Sequence, residues 1–391
     1  MRVLFTTQPA SGHFHPLVPL ARELASAGHE VAFATSLSFC PTVEAAGLRA
    51  IPVGIDWLES EPAQAFPHFK DIDPLEHTGF FLNVFYNVGL RAMLPDLLEV
   101  AASWRPDAIV REYWEPAGGF AAERLGVPSV TAGIGLFFPP EMFRGYFGAT
   151  IDELRRQHDL PPDPDAARLF GDLYLNILPP GYQPPEVKLP PSIEHIRPSV
   201  FDNVSGATLP AWVHELPDRP TVYASLGTVL NQTAGVFEKI LEGLRDEDIN
   251  LILTVGRNRD PASFGRQPAN VRIERFIPQS LLFPHCDAIV THGGYNTVMG
   301  ALSAGLPMLI LPMGTDDPFH ANYCAGLGVA KALFPIDATA EAMRFAMREL
   351  LDDPGYRERA ASMQRKIEAM PGTERVRERI EQLVRQSRST A

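Results

Sequence analysis

The chain has 391 residues, more than one hydrophobic core usually serves, so two domains are expected. Apolar residues make up 45% and charged residues 21%, and no stretch approaches the ~20 uninterrupted apolar residues that span a bilayer, which excludes a helical membrane protein. A net charge of −13 with no compensating Lys/Arg cluster argues against nucleic acid as a partner and requires any phosphate site to be built from backbone amides and helix ends.

Strand candidates in the first half are Val3–Thr7, Glu30–Thr35, Asp107–Glu112 and Ser129–Ile134. In the second half they are Thr221–Leu226, Asn250–Val255, Val271–Phe276, Ala288–Thr291 and Pro307–Leu311. Most are continuous runs rich in β-branched residues, as strands covered on both faces should be. Helical patterns lie between them, such as Leu17, Leu20, Ala21, Leu24 and Ala25, closed by Gly28. Such alternation predicts right-handed crossovers and parallel sheets, hence an α/β fold of two Rossmann-like domains.

The first strand is joined to its helix by Thr7-Gln8-Pro9-Ala10-Ser11-Gly12-His13-Phe14-His15-Pro16. G-x-G-x-x-G is absent, which weakens any NAD reading. The segment offers instead His13 at a helix N-terminus, where the dipole disfavours imidazolium. Aromatic pairs follow at Phe80-Phe81, Phe85-Tyr86, Tyr113-Trp114 and Phe137-Phe138, several expected in loops and suited to lining a hydrophobic cleft.

Thirteen of the 37 prolines fall between residues 161 and 220, a spacing that predicts neither central strands nor long helices. Asp71-x-Asp73 and Asp163-x-Asp165 sit in Pro-containing polar stretches and read as turns, so no metal site is expected. The expected division is a first domain over 1–202, a linker over 203–217, a second domain over 218–372 and a C-terminal amphipathic helix within 373–391 that returns to the first domain. Cys40, Cys286 and Cys324 form no C-x-x-C pair, and no signal-like segment opens the chain, so a reducing, cytoplasmic setting is expected.

The richest stretch runs from Arg275 to Gly328. A strand ends in His292-Gly293-Gly294, and a helix is expected to begin near Asn296-Thr297. Two glycines admit a ligand close to the backbone, and the helix start offers an anion site without any lysine. A tight strand-to-helix turn with no ligand is the competing reading.

This segment resembles the donor-binding signature of family 1 glycosyltransferases with the GT-B fold, specifically their bacterial natural-product branch. The likeness extends from Val3-Leu4-Phe5 through Ser225-Leu226-Gly227-Thr228 to Gly328. It implies two Rossmann-like domains facing across a cleft, acceptor side first and donor side second. By position, Phe276 would stack on the nucleobase, with Ile277, Pro278 and Gln279 flanking base and ribose. His292 and the amides around Gly293, Gly294, Asn296 and Thr297 would hold the diphosphate, approached by Ser225, Gly227 and Thr228. Asp316 and Asp317 would reach the sugar hydroxyls.

Relatives using UDP-sugars carry Glu where this chain has Gly300, and glycine cannot bind the ribose hydroxyls. The resemblance therefore implies a dTDP-sugar as co-substrate, with no further cofactor, and a deoxy or amino sugar. His13 matches the family's general base, and Glu112 stands where relatives place the Asp that orients it. Gly12, Phe81, Phe85, Trp114 and Phe138 would line the acceptor side. The implied activity is an inverting, metal-independent glycosyl transfer to a small hydrophobic aglycone. Rival readings are a sugar-nucleotide epimerase or hydrolase of the same fold, and a non-catalytic nucleotide-binding auxiliary protein. A homodimer is one arrangement the sequence admits.

Overall fold

The structure is a computed structural model that describes residues 1–73, 76–199, 201–202, 207–227, 235–256 and 259–390. It comprises two compact units, one formed by Met1–Arg197 with Met370–Ala391 and the other by Pro198–Ala369.

The first unit is built on a seven-stranded sheet. Its strands are β1 (Arg2–Thr6), β2 (Glu30–Thr35), β3 (Arg49–Pro52), β4 (Ala108–Glu112), β5 (Ser129–Gly133), β6 (Leu173–Asn176) and β7 (Ile193–His195). They run in the order β3-β2-β1-β4-β5-β6-β7, and every pairing is parallel. The second unit holds six parallel strands: β8 (Thr221–Ser225), β9 (Asn250–Thr254), β10 (Val271–Glu274), β11 (Ala288–Thr291), β12 (Met308–Ile310) and β13 (Ala330–Ala332). Their order is β10-β9-β8-β11-β12-β13. Each sheet has helices to cover it, and all five residues of β4 and of β8 are buried, which is why these segments read as apolar runs. Each fully buried Val, Leu or Ile of these strands contributes roughly 1.5–3 kcal/mol.

All nine expected strands form, and four more appear among the described residues. One of them corrects the reading of the proline-rich middle: β6 is an internal strand between β5 and β7, and all four of its residues are buried. Its strand lies in a proline-free window between Pro164 and Pro179, so every amide is available to the ladder. In the same region the Asp163 carboxylate accepts the amides of Ala167 and Arg168, both at 3.1 Å, closing a turn.

The expected linker overlaps residues 203–206, which lie outside the described residues; within it Ala211–Glu215 forms a short 3-10 helix. The terminal helix Thr373–Thr390 buries Val376, Ile380 and Val384. It lies against the first unit through Arg377 on Glu23 at 2.9 Å and His29 on Glu381 at 3.2 Å. Among the described residues, no helix is long and apolar enough to cross a membrane. All three cysteines are buried.

Candidate active site

In both sheets the strand order reverses beside the first strand of the unit, at β1/β4 and at β8/β11. Chains leaving neighbouring strands there diverge to opposite sides, opening a crevice at the carboxyl ends. The two sequence motifs follow those strand ends.

In the first unit, β1 delivers Thr7–Ala10 into the short helix Ser11–Phe14, which carries His13. The adjacent strand β4 ends at Glu112. His13 Nδ1 lies 3.0 Å from Glu112 Oε1. The Glu112 side chain is completely buried, and it also accepts the backbone N–H of Gln8 at 3.2 Å and that of Trp114. A carboxylate fixed by two amides holds the imidazole with Nδ1 protonated, which leaves Nε2 as the proton acceptor. Arg111 does not compete for this carboxylate. Its buried guanidinium donates through one nitrogen to the carbonyls of Glu112, Tyr113 and Glu115. Glu115 is likewise committed elsewhere, accepting Thr6 Oγ1 and the amides of Ala117 and Gly118.

The expected acceptor residues fall into two groups. Phe85 presents its edge relation to His13 at 5.5 Å between ring centres, and Phe81 stacks on Phe85 at 6.2 Å. Trp114 and Phe138 meet at 5.7 Å, and the Phe138 backbone is latched by the Tyr113 hydroxyl. Gly12 is exposed in the same short helix, next to His13. Phe81 and Phe85 are not in loops: Phe81 belongs to the helix His77–Asn83, and Phe85 to the π-helical turn Val84–Gly89 that continues it. That turn shifts the helical register, which is what brings Phe85 to the histidine.

Two further residues, one packed on Phe85 and one beside His13, carry no signal in the sequence. Trp57 is buried, 6.1 Å from Phe85 and 6.5 Å from Phe81. Glu59 Oε2 lies 3.8 Å from His13 Nε2. Both residues come from a loop 44 or more positions along the chain from His13, with no motif to flag them.

In the second unit, His292 follows β11, and its ring is held between two glycines. A Cβ on Gly227 would lie 2.6 Å from Cε1, and one on Gly294 would lie 2.4 Å from Nε2. A side chain at either place would force the ring to shift. Gly227 and Gly293 also have φ of +73° and +104°, which disfavours any side chain. Burial pushes the His292 imidazole down to about 4, so it is neutral. Its Nδ1 is shielded and has no hydrogen-bond partner among the described residues. Gly293 approaches Asp317, whose backbone oxygen would be 3.3 Å from an added Cβ.

The helix that follows is Tyr295–Ser303, and Gly294 is its N-cap, in place of the expected start at Asn296-Thr297. Glycine supplies no capping side chain, and the amides of Thr297 and Val298 turn back to the Gly294 carbonyl at 3.1 Å. Gly300 lies buried in the middle of this helix. Ser225, at the end of β8, is buried beside Thr291 in the register of the sheet. Thr228 lies outside the described residues.

Phe276 is 50% exposed, an apolar ring with a face open to a ligand, while Ile277 next to it is buried. Pro278 opens the helix Gln279–Leu282, and the Gln279 amide donates to the Tyr223 hydroxyl at 3.3 Å. The acidic pair divides. Asp316 keeps 29% of its side chain exposed and accepts from His320 Nε2 at 3.2 Å. Burial would raise its carboxyl, but the bond and charge of His320 hold it below the ordinary value. Asp317 turns inward and accepts the Met313 amide at 3.3 Å. Burial, with Asp316 beside it, pushes Asp317 up to about 8. In this structure Asp316 is the partly exposed member of the pair and Asp317 the buried one.

The family model of the erythromycin biosynthesis protein CIII-like N-terminal domain matches residues 22–227, and that of the C-terminal domain matches residues 238–383. The chain is 31% identical to the 4'-demethylrebeccamycin synthase of Lentzea aerocolonigenes, with 93% of this chain and 94% of that protein covered. It is 31% identical to the 10-deoxymethynolide desosaminyltransferase of Streptomyces venezuelae, with 90% of each covered. Among solved structures, the glycosyltransferase VinC in complex with dTDP gives a TM-score of 0.81 at 27% identity, covering 99% of this chain and 100% of that one. The glycosyltransferase SnogD from Streptomyces nogalater gives 0.76 at 28% identity, covering 98% and 99%. With two parallel Rossmann-like units and a histidine–carboxylate pair at the switch point of the first, this chain belongs to the erythromycin biosynthesis protein CIII-like family of glycosyltransferases.

Proposed function

We propose that the enzyme transfers a deoxy or amino sugar from a dTDP-sugar to a hydrophobic natural-product aglycone, inverting the anomeric centre, with His13 as general base. The observation that carries this reading is the 3.0 Å contact between His13 Nδ1 and Glu112 Oε1, which leaves Nε2 to receive a proton.

In the reaction so read, the acceptor proton passes to Nε2 as the acceptor atom forms its bond to the anomeric carbon. The bond from that carbon to the diphosphate oxygen breaks, and dTDP leaves with the electron pair. Glu112 stabilises the imidazolium, which later returns its proton to water. The charge growing on the diphosphate is assigned to the start of the helix Tyr295–Ser303 and to His292, whose neutral ring can donate a hydrogen bond. No cofactor or metal has a step in this scheme.

The dTDP assignment is supported by Gly300, which presents no side chain to ribose hydroxyls, and by the dTDP complex of the related VinC. The sugar class is supported by relatives named as a desosaminyltransferase and as an aclacinomycin-T 2-deoxy-L-fucose transferase. Titration with dTDP and UDP, followed by turnover of a dTDP-deoxysugar against UDP-glucose, tests it. Tighter dTDP binding and faster dTDP-deoxysugar turnover are expected; a clear win for the uridine donor overturns the donor assignment.

A further inference from the structure

The proline-rich run that follows β6 has a part in the acceptor side, and the inference rests on the reading of Trp114 and Phe138 as residues that line it. Between β5 and the helix Pro140–Gln157, residues 134–139 leave the carboxyl end of the sheet in no regular structure. Within them Phe137 is 3% exposed and packs on Phe170 and Tyr174, at 5.3 and 5.5 Å between ring centres, while Phe138 keeps part of its surface open. Side chains here take the role of a neighbouring strand. Gln183 Oε1 accepts the Phe137 N–H at 3.0 Å, and Gln183 Nε2 donates to the Phe137 carbonyl at 3.1 Å. One residue on, the Tyr113 hydroxyl accepts the Phe138 N–H at 3.1 Å and donates to the Phe138 carbonyl at 2.7 Å.

Gln183 is itself held stiffly. It stands between Pro179-Pro180 and Pro184-Pro185, where the rings fix φ and the residue ahead of a proline is biased to extended backbone. Gly181 at φ +80° and the Tyr182 N–H on the Pro179 carbonyl at 3.1 Å close the turn, and the Tyr182 side chain, 2% exposed, anchors it. Holding the Gln183 amide in place therefore costs little further backbone entropy. The two clamps differ in what they couple. Tyr113 directly follows Glu112, and Arg111 donates to its carbonyl at 3.1 Å, so the Tyr113 hydroxyl ties Phe138 to the strand end that orients His13. Gln183 holds the same loop from outside that strand end. We propose that Gln183 is a positioning residue for the acceptor: its two bonds to Phe137 fix the main chain that presents Phe138, so that Phe138 and Trp114, 5.7 Å apart, form a preformed aromatic face beside the His13–Glu112 pair. An acceptor docks on a face already ordered; without Gln183 the loop has to be ordered at the moment of binding, and the cost falls on acceptor affinity.

Binding of 1,2-dihydroxyanthraquinone is measured by quenching of tryptophan fluorescence, and binding of dTDP by calorimetry. Gln183→Leu keeps the volume and removes both bonds; its Kd for the anthraquinone is expected to rise about tenfold, with the dTDP Kd within about twofold of wild type. Gln183→Glu still accepts the Phe137 N–H but cannot donate to the carbonyl, and a rise of about threefold or more is expected. In a Phe138→Ala background the Gln183→Leu change should alter the Kd by less than about twofold, because it acts through Phe138; a merely structural role would weaken binding equally in both backgrounds. Wild-type affinity in Gln183→Leu, or in Gln183→Glu should the leucine variant not fold, overturns the proposal, as does an undiminished effect in the Phe138→Ala background or an equal loss of dTDP affinity. Wild-type affinity in Phe138→Ala, or a wild-type chain that does not bind the anthraquinone, overturns instead the reading of Phe138 as an acceptor residue.

Discussion

His13 can act as a base only while something decides which of its nitrogens carries the proton, and that decision is made by one buried carboxylate. Glu112→Gln keeps the volume but can present an N–H to Nδ1, favouring the wrong tautomer. A fall in kcat of about 10²-fold or more is expected, with dTDP affinity unchanged, read by steady-state kinetics beside calorimetric titration. Gly294→Ala places a Cβ 2.4 Å from His292 Nε2, so the ring must leave its slot. Its dTDP affinity should fall about tenfold or more, while His13-side properties stay intact.

His292 and Asp317, both in the second unit, pull stability in opposite directions with pH. His292 sits at about 4 in the folded chain against an ordinary 6.5, so the unfolded state holds more protons in that interval and stability rises from pH 4 to about 6.5. Asp317 sits at about 8 against an ordinary 3.8, so the folded state holds the extra proton and stability falls as pH climbs through that window. Asp317→Asn should therefore gain more Tm over wild type at pH 9 than at pH 5; equal differences at both would show that Asp317 is not held protonated.

At the scale of elements, long apolar runs were easy to read because burial on both faces leaves no alternation to misjudge. The strands missed are short: β7 and β13 have three residues each, and β3 and β6 have four. Proline density concealed β6, since a count over residues 161–220 ignores the clear window in which it lies. Several of the aromatic pairs are expected in loops, yet Phe81 and Phe85 lie on a helix and the π-helical turn that continues it, a turn that breaks the helical period between them. The terminal helix was legible from its stripe of Val376, Ile380 and Val384, which lie at i, i+4 and i+8. Ile380→Asp buries a charge in that stripe and should cost about 3 kcal/mol or more, seen as a lower Tm and a falling soluble yield.

For the molecule as a whole, one topological rule was invisible in the sequence and accounts for both sites. Each sheet reverses its strand order next to its first strand, and the residues that the motifs single out follow those strand ends. The motifs mark His13, His292 and the glycines beside them. They did not tell that Asp317 turns inward, that Gly227 and Gly294 enclose a histidine, or that Glu59 reaches His13 from a loop with no signature. Those depend on contacts across tens of residues, which local pattern does not encode.

The most direct test of the central claim compares wild type and His13→Ala with a dTDP-deoxysugar and a polycyclic hydroxylated acceptor. Product is followed by chromatography, the anomeric configuration by NMR, and dTDP binding by calorimetry. The expected result is an inverted glycoside from the wild type, turnover at least about 10²-fold lower in His13→Ala, and the same dTDP affinity in both. Near-wild-type turnover in His13→Ala, or dTDP released at the same rate without acceptor, would contradict the account.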